Sequence, residues 1–530
     1  MSSLLKSNLA VASGTAMSRV SGLLRVSVFG YVLGKSALTD AYNQANATPN
    51  LIYELVLGGV LSSTLVPLFI RLRHENDEDG EVAVRSVSIV ALALLTAVAV
   101  AAAPLIFRLY ASFTSTSVDG NLYREAGGAL AVFFLFQIFF YGLNALGSAE
   151  LQARKRFFAA SWAPALANLV IIGTLLLVPG AVDGVAQLGD VLTNDRLRWT
   201  LGLGATAGIA VMATALVPSL VAAGVPLRFR LDLRNPAVRR LRDLSGWALG
   251  YVIANQVSII VVQNLLVRSG EGNQTAYTNA FTFFVLPHGL LAMSIVTTLL
   301  PEMSQAIAEK RRDRLVERTG LGIRMVALLT IPAGFGLFVL RRPIVGLALQ
   351  HGEYNAADAL VASRALAGFA LGLGAFSVYL FTLRAFYAHQ DARTPCIINI
   401  VENVLNIVLA VLLYRRFGVL GIAAAFAIAY LLSALLSMQV LSYKVSGFAL
   451  RPMLTSLYRM TLASVLMAEA VWAVARLVGD NAGAGAVLRT VVAAIVGIGV
   501  YVGLLLLMNA PELEELRRKF RPSGRAGPAQ

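Results

Sequence analysis

The sequence DAYNQANATPNLIYELVLGGVLSSTLVP, residues 40–67, decides the fold because both of its ends recur in the second half of the chain. Three pairs of short segments match at an offset of 234 or 235 residues: DAY at 40–42 with TAY at 275–277, STLVP at 63–67 with TTLLP at 297–301, and LQAR at 151–154 with FYAH at 386–389. Repeated matches at one offset indicate an internal duplication. The repeat unit spans six predicted helices, so the two halves share one orientation in a membrane.

Composition places the chain in a membrane. It is 57% hydrophobic and 14% charged, with a mean hydropathy of +0.71. Apolar runs of about 20 residues, long enough to span a bilayer, recur throughout and predict about fourteen helices. We therefore expect an all-α polytopic membrane protein with two six-helix lobes related by a parallel repeat, plus two C-terminal helices.

The repeat and the composition together predict four regions. Residues 1–226 form the N-lobe with helices one to six, and residues 227–445 form the C-lobe with helices seven to twelve. Residues 446–510 hold helices thirteen and fourteen, which lie outside the repeat and are candidates for a lipid-tail groove. Residues 511–530 are expected to be a disordered cytoplasmic tail, since they are polar and terminal.

Basic residues are concentrated in alternate loops. The rich segments are RLRHENDEDGEVAVR at 71–85, ARKRF at 153–157, LRFRLDLRNPAVRRLRD at 227–243, EKRRDRLVER at 309–318 and RRKFRPSGR at 517–525. The positive-inside rule places these loops, and both chain termini, in the cytoplasm. The formal net charge of +15 is then explained by topological anchors, so we expect no nucleic-acid partner.

Residues that could support metal or nucleotide chemistry are scarce. The chain has one cysteine, Cys396, and four histidines without metal-ligand spacing. No Gly-x-x-x-x-Gly-Lys-Ser/Thr phosphate loop is present, which argues against ATP hydrolysis by this chain. We therefore expect no cofactor, no certain metal site and a non-enzymatic function, with an ion gradient of Na⁺ or H⁺ as the candidate energy source.

The first apolar stretch, residues 8–33, contains two charges at bilayer depth. An arginine there costs about 2.5–3.5 kcal/mol even on the lenient insertion scale. At 100° per residue, one stripe of the helix carries Arg25 and four small residues, Gly14, Ser18, Ser21 and Gly22. Arg19 lies at the edge of this stripe. The arginines could snorkel from a helix end. The alternative, which we prefer, is a water-filled cavity that receives an anion.

Several motifs resemble the lipid II flippases of the MurJ or MviN family, within the multidrug/oligosaccharidyl-lipid/polysaccharide exporter superfamily. They are MSRVSGLLR at 17–25, TDAYNQANATPNLIYELVLGGVLSSTLVPLF at 39–69, LPHGLLAMSIVTTLLPEMS at 286–304, HGEY at 351–354 and LRAFYAHQDARTP at 383–395. The resemblance covers about residues 1–510. It implies two six-helix lobes with two extra helices, a central cavity and transport of undecaprenyl-diphosphate-linked peptidoglycan precursor between leaflets.

The resemblance also implies site residues. The cavity arginines that bind the diphosphate fall on Arg19 and Arg25, with Ser18 beside the first, and the acidic residue that starts the second helix falls on Asp40. The chain departs from the family pattern at positions that many members fill with charged residues: Val26, Tyr53, Glu54 and Thr282. The four-arginine cavity of better-known members is thus half present, and Thr282 stands where many carry an essential arginine.

Two further polar groups lie inside predicted helices. Glu54 is an intramembrane carboxylate, which is functional by default, and it could pair with Arg19 or Arg25 until a diphosphate competes. Asn399, Glu402 and Asn403 crowd one half of helix eleven and form a candidate coupling-ion site. The alternative for that cluster is interhelical hydrogen bonding, worth about 0.6 kcal/mol per bond.

We therefore expect a flippase that moves lipid II from the inner to the outer leaflet of the bacterial cytoplasmic membrane by alternating access. Two alternatives stay open: a flippase for another polyprenyl-diphosphate oligosaccharide, and an ion-coupled drug antiporter of the same superfamily. A membrane enzyme acting on lipid-linked sugars is less consistent, because no paired carboxylates stand at a loop. Lipid II and the membrane are the expected partners, cell-wall synthesis proteins are candidates, and a monomer is expected.

Overall fold

The structure is a computed structural model. It describes residues 2–53, 59–111, 119–154, 156–226, 228–243, 246–309, 311–388, 391 and 393–510. Glu54, one of the predicted site residues, lies outside these ranges. The predicted tail at 511–530 does as well.

Helices form nearly all of the described chain. In the first half they are α1 Ser2–Leu33, α2 Ala37–Tyr53, α3 Gly59–His74, α4 Glu78–Ala101, α5 Ala103–Tyr110, α6 Gly120–Leu135, α7 Gln137–Ala153, α8 Phe158–Leu175, α9 Asp190–Thr193, α10 Asp195–Thr214, α11 Val217–Ala222 and α12 Pro236–Asp243. In the second half they are α13 Gly246–Ser269, α14 Asn273–Pro287, α15 Met293–Ala308, α16 Arg312–Leu349, α17 Ala356–Ala370, α18 Leu373–Ala388, α19 Arg393–Lys444, α20 Leu450–Leu477 and α21 Gly483–Leu507. A 3₁₀ turn at Val178–Gly180 and a π-helical turn at His288–Ala292 complete the set.

The all-helical prediction is confirmed: among the described residues there is no β-strand. Nine described helical segments are long and apolar enough to cross a membrane, and the pair Ala356–Ala370 and Leu373–Tyr387, bent by 48°, would make a tenth. One of the nine, α19, has a non-helical residue at Gly418, with φ 54° and ψ −133°, which divides it into two helices. The predicted total of fourteen spans stays a prediction.

Contacts divide the described residues into two compact units. The first lies within Met1–Asn279, Ala348–Ala362 and Ala410–Ile422, and the second within Ala280–Leu347, Ser363–Leu409 and Ala423–Gln530. The predicted boundary at residue 226 follows the repeat and stays a prediction.

The core of the first unit is built around α2, α6 and α10. Tyr42 of α2 is buried and packs against Phe29 of α1 and Phe134 of α6, with ring centroids 5.1 Å apart in both pairs. The Tyr123 hydroxyl of α6 donates a hydrogen bond of 2.8 Å to Gln44 Oε1. Polar groups of α2 are thus satisfied inside the unit, as a low-dielectric interior requires.

The core of the second unit joins α16 and α18 to the two C-terminal helices. Phe381 of α18 is 1% exposed and lies against Gly322 of α16, where a Cβ atom would stand 1.9 Å from the ring. The buried Tyr501 hydroxyl of α21 donates to the Leu328 carbonyl at 3.0 Å. Helices α20 and α21 are therefore packed into this unit, although they lie outside the sequence repeat.

The turn between α18 and α19 is fixed by a carboxylate. Asp391 accepts the Thr394 backbone N–H at 3.0 Å, the Thr394 hydroxyl at 2.7 Å and the Lys444 ammonium at 2.6 Å. Burial by itself would raise the pKa of Asp391, but these donors outweigh it and lower the pKa to about 2. The DARTP segment thereby ties the start of α19 to its end at Lys444.

Candidate functional site

The small residues of α1 form a contact with α8. A Cβ atom on Gly14 would stand 2.7 Å from Ser161 Cβ, and one on Gly22 would meet Asn168 Nδ2 at 3.6 Å. Asn168 Nδ2 donates to the Ser18 carbonyl at 3.3 Å and to Ser21 Oγ at 3.0 Å. Small residues let helix backbones approach closely in a membrane. This part of the stripe, expected to face a cavity, is therefore largely a helix interface.

The two arginines have different surroundings. The Arg19 side chain is exposed, beside Met17 and Val20, while Arg25 is half-buried on the same side of α1 as Ser18. Arg25 lies close enough to the buried Tyr42 and the half-buried Tyr141 to interact electrostatically with their phenol groups. Among the described residues, neither arginine has a carboxylate within ion-pairing distance. Both guanidinium groups can thus receive an anion without first breaking an ion pair to a described residue.

Asp40 lies at the start of α2 but caps a different helix. Its carboxylate is 1% exposed and accepts the Gly272 N–H at 2.7 Å, the Thr275 N–H at 2.9 Å and the Thr275 hydroxyl at 2.9 Å. The Thr275 amide belongs to the first turn of α14, whose N–H groups have no intrahelical partners, and Gly272 stands directly before that helix. Asp40 and Thr275 occupy matching positions in the sequence repeat, so the duplicated helices meet at equivalent residues.

The same relation holds in the reverse direction. Glu271, just before α14, accepts the Ala37 N–H at the start of α2 through Oε1 at 3.0 Å, and the Lys35 ammonium donates to the Glu271 carbonyl at 2.6 Å. Asn43 Nδ2 adds a hydrogen bond of 3.0 Å to Thr275 Oγ1. We call this arrangement the reciprocal cap: the N-terminus of each helix is capped by a carboxylate from the segment that opens the other.

The HGEY motif packs on the end of α1. The Glu353 N–H donates to the Tyr31 carbonyl at 3.0 Å, and the buried ring of Tyr354 lies against Gly30, where a Cβ atom would approach it to 3.3 Å. Gly352 has φ 57°, a conformation that favours glycine, which explains the glycine in this turn. The motif thus fixes the C-terminal end of the helix that carries the two arginines.

A buried cluster of four charges was missed by sequence reasoning. Arg85 Nε of α4 pairs with Glu150 at 2.7 Å, and Arg154 pairs with Glu81 at 2.6 Å, with side chains at most 8% exposed. The positive-inside pattern predicts that the ARKRF segment is a topological anchor, but the side chain of its Arg154 is only 7% exposed and is paired with Glu81. The signal was present: Glu81 and Arg85 are four residues apart, as are Glu150 and Arg154, so each pair lies on one helix face.

The remaining predicted residues lie in the second unit. Asn399, Glu402 and Asn403 are all buried in α19, at 1%, 1% and 5% exposure, and Asn403 Nδ2 donates to the Asn399 carbonyl at 2.9 Å. Among the described residues, Glu402 Oε1 has no hydrogen-bond partner. Thr282 is half-buried in α14. Carboxylate and amide oxygens are hard ligands that suit a small cation. The assignment of these three residues to a coupling-ion site stays a prediction.

Comparison with solved structures shows which fold this chain has. A structure described as an inward-facing multidrug resistance MATE family transporter of the MOP superfamily aligns with a TM-score of 0.65 at 15% identity, covering 81% of this chain and 95% of that one. A structure described as lipid II flippase MurJ in an inward closed conformation aligns with a TM-score of 0.76 at 21% identity, covering 94% and 98%. This chain therefore has the fold that these two solved structures share.

The sequence then gives the family. The model of the lipid II flippase MurJ matches residues 29–493, and this chain belongs to that family. A probable lipid II flippase MurJ of Rhizobium meliloti is 27% identical over 89% of this chain and 86% of its own length. The lipid II flippase MurJ of Burkholderia cenocepacia is 27% identical over 74% of this chain and 75% of its own. The chain is a multi-pass inner membrane protein.

Proposed function

We propose that this protein moves lipid II from the inner to the outer leaflet of the bacterial cytoplasmic membrane, with both termini in the cytoplasm. The observation that carries the proposal is the pair Arg19 and Arg25 on α1, which stand just before residues 29–493, the part of the chain that matches the flippase family. A diphosphate carries the charge that two guanidinium groups recognise by charge-assisted hydrogen bonds.

The two arginines act at different points along the path. They are six residues apart, so their Cα atoms are separated by about 9 Å along the helix axis and by about 120° around it. Arg19 is exposed and is suited to the first encounter with the diphosphate. Arg25 is half-buried near two tyrosines and is suited to hold it. Ser18, which is next to Arg19 in the sequence, is proposed to contribute to the same diphosphate site.

The reciprocal cap is the outer gate of this transporter. In the proposed orientation, α2 and α14 both begin on the outer side, so their capped ends hold the two helices together there. Opening to the outside requires that Asp40 leave the amides of Gly272 and Thr275, and that Glu271 leave Ala37. Release of the head group is then linked to the loss of at least four hydrogen bonds.

An ion gradient drives the cycle in this proposal. Glu402 is a buried carboxylate with one oxygen unpartnered among the described residues, and Asn399 and Asn403 lie one helical turn apart beside it. Binding of Na⁺ or a proton there would neutralise the carboxylate and change the packing of α19. Thr282 and Glu54 are proposed to line the cavity, where Glu54 competes with the diphosphate for the arginines.

The test uses bacterial cells whose own flippase can be depleted. The wild-type chain should restore growth and outer-leaflet lipid II, whereas Arg25→Ala should leave lipid II in the inner leaflet. Loss of a charge-assisted hydrogen bond costs about 1.5–3 kcal/mol, or about 10–100-fold in binding. Arg25→Lys should be intermediate, because lysine keeps the charge but not the planar donor pair. Arg384→Ala, an exposed arginine at the end of α18, is the matched control.

Two outcomes would redirect the proposal. Full activity of a stable Arg25→Ala variant would remove the diphosphate site from α1. If depletion of this protein in its own cells left wall synthesis normal and altered drug tolerance, the drug antiporter would be favoured. Flipping assays in vesicles with lipid II and with another polyprenyl-diphosphate oligosaccharide would decide between those two substrates.

A further inference from the structure

The segment RFRLDLR, residues 228–234, presents large apolar side chains to its surroundings. Phe229, Leu231 and Leu233 are 64%, 52% and 65% exposed. They alternate with the charged residues Arg228, Arg230, Asp232 and Arg234. Aromatic and aliphatic side chains repeated at every second position of a charged loop are unusual on a water-facing surface. We call residues 228–234 the linker segment, since it joins the two halves of the sequence repeat.

Hydrogen bonds fix the depth of the linker segment. The Arg230 N–H donates to Ser86 Oγ of α4 at 2.9 Å, and Arg230 Nη1 pairs with Asp79 at 3.2 Å. Just before the segment, the Pro226 carbonyl accepts from Arg85 Nη1. The linker segment is therefore held level with residues 79–86 of α4.

That level is the boundary between bilayer and water. The first turns of α4 carry four charged residues, Glu78, Asp79, Glu81 and Arg85, and residues 86–101 carry none. Because charged side chains are costly in the hydrocarbon region, the change from charged to uncharged residues places the head groups near Arg85 and Ser86. The exposed side chains of Phe229 and Leu231 are adjacent in sequence to Arg230, so they lie within one or two residues of the head-group level.

We propose that the linker segment is an interfacial anchor on the cytoplasmic leaflet. Phe229, Leu231 and Leu233 enter the boundary between head groups and acyl chains, while Arg228 and Arg234 bind the phosphates of anionic lipids. The charge balance favours a lipid surface over a neutral protein partner, since residues 228–243 contain six arginines and two aspartates. Basic juxtamembrane segments are drawn to anionic leaflets. The proposal concerns lipid binding and is independent of the transported substrate.

The anchor can be tested by site-specific fluorescence on the whole protein. Cys396 is the single cysteine and is buried, so a Cys396→Ser background accepts one new label site. Phe229→Cys and Leu233→Cys carry an environment-sensitive fluorophore, and Asp232→Cys is the matched control within the same segment. Each is reconstituted in nanodiscs of phosphatidylcholine, with and without phosphatidylglycerol. The lipids carry a spin-label quencher near the top of the acyl chain.

The expected result is quenching at 229 and 233 at least twofold stronger than at 232, and stronger still with phosphatidylglycerol. Adding Arg228→Gln and Arg234→Gln should abolish the dependence on phosphatidylglycerol. Aqueous iodide serves as a second quencher, which reaches only water-exposed labels. Equal quenching by the lipid spin label at the three positions, or quenching by iodide alone, would overturn the anchor. Protection of positions 229 and 233 from both quenchers would also overturn it and would indicate a protein partner or a second copy.

Discussion

At the scale of single residues, Asp40 shows how an acidic residue at a helix start acquires a role that its own helix does not require. The first turn of α2 has a local cap, in which Ser36 Oγ accepts the Thr39 N–H at 3.3 Å and Thr39 Oγ1 accepts the Ser36 N–H at 2.9 Å. Asp40 is therefore available to α14. The alternative that Asp40 merely complements the dipole of α2 leaves its three hydrogen bonds to Gly272 and Thr275 unexplained.

A double-mutant cycle measures this contact. Asp40→Asn should lower the free energy of unfolding by about 1–3 kcal/mol, because an amide accepts through one oxygen and turns its NH₂ toward a buried donor. Thr275→Val should cost less, and the double variant should cost less than the sum, since the two side chains share one hydrogen bond. Thermal or denaturant unfolding of purified protein gives the values. Strict additivity would contradict the coupling, and Thr382→Val, which loses a bond to its own helix at Val378, is the control.

The buried pair Arg85–Glu150 predicts an asymmetry between single and double substitutions. Glu150→Ala leaves the Arg85 charge buried and should cost about 3–5 kcal/mol. The double variant Arg85→Met with Glu150→Ala should recover much of that loss, because no uncompensated charge remains. Equilibrium unfolding compares the two. A double variant less stable than Glu150→Ala would contradict this prediction. It would show that Arg85 stabilises the fold by more than neutralising the charge of Glu150.

At the scale of helices, α1 is positioned by close packing on α8. Gly14→Val should push α1 away from Ser161 and destabilise the protein by about 1–3 kcal/mol, the usual cost of overpacking. It should also impair lipid II transport, because Arg19 and Arg25 belong to the displaced helix. Gly173→Val is the matched control on α8, since no atom lies within 4 Å of the Cβ position of Gly173. Equal effects of the two substitutions, in unfolding and in complementation, would rule out this packing argument.

Much of the helical architecture could be predicted, and the specific contacts could not. Apolar run length and the 235-residue offset are local or periodic signals, so they predict spanning helices and the correspondence of Asp40 with Thr275. Periodicity shows that Gly14 and Gly22 share a face of α1. It does not show which helix packs on that face, because Ser161 and Asn168 lie far away in sequence.

At the scale of the whole molecule, the proposed topology makes a direct prediction. A fluorescent reporter that matures in the cytoplasm should be bright when fused after Gln530. Alkaline phosphatase inserted in the Gly479–Gly483 turn between α20 and α21 should be active, since that turn is assigned to the outer side. Phosphatase inserted near Asn235 is the internal control and should be inactive. The opposite pattern would invert the orientation and place the reciprocal cap on the cytoplasmic face.

In the proposed orientation, the reciprocal cap makes the transport cycle sensitive to the medium outside the cell. When α2 and α14 separate, the Ala37 amide of α2 loses Glu271, and the amides of Gly272 and Thr275 lose Asp40. Each helix N-terminus carries the equivalent of about half a positive charge. Small anions that bind such ends would substitute for Asp40 and Glu271 and stabilise the open state. Extracellular sulfate or phosphate would then act as an allosteric effector of the conformational equilibrium, and the ionic composition outside the membrane would enter the energetics of the transport cycle.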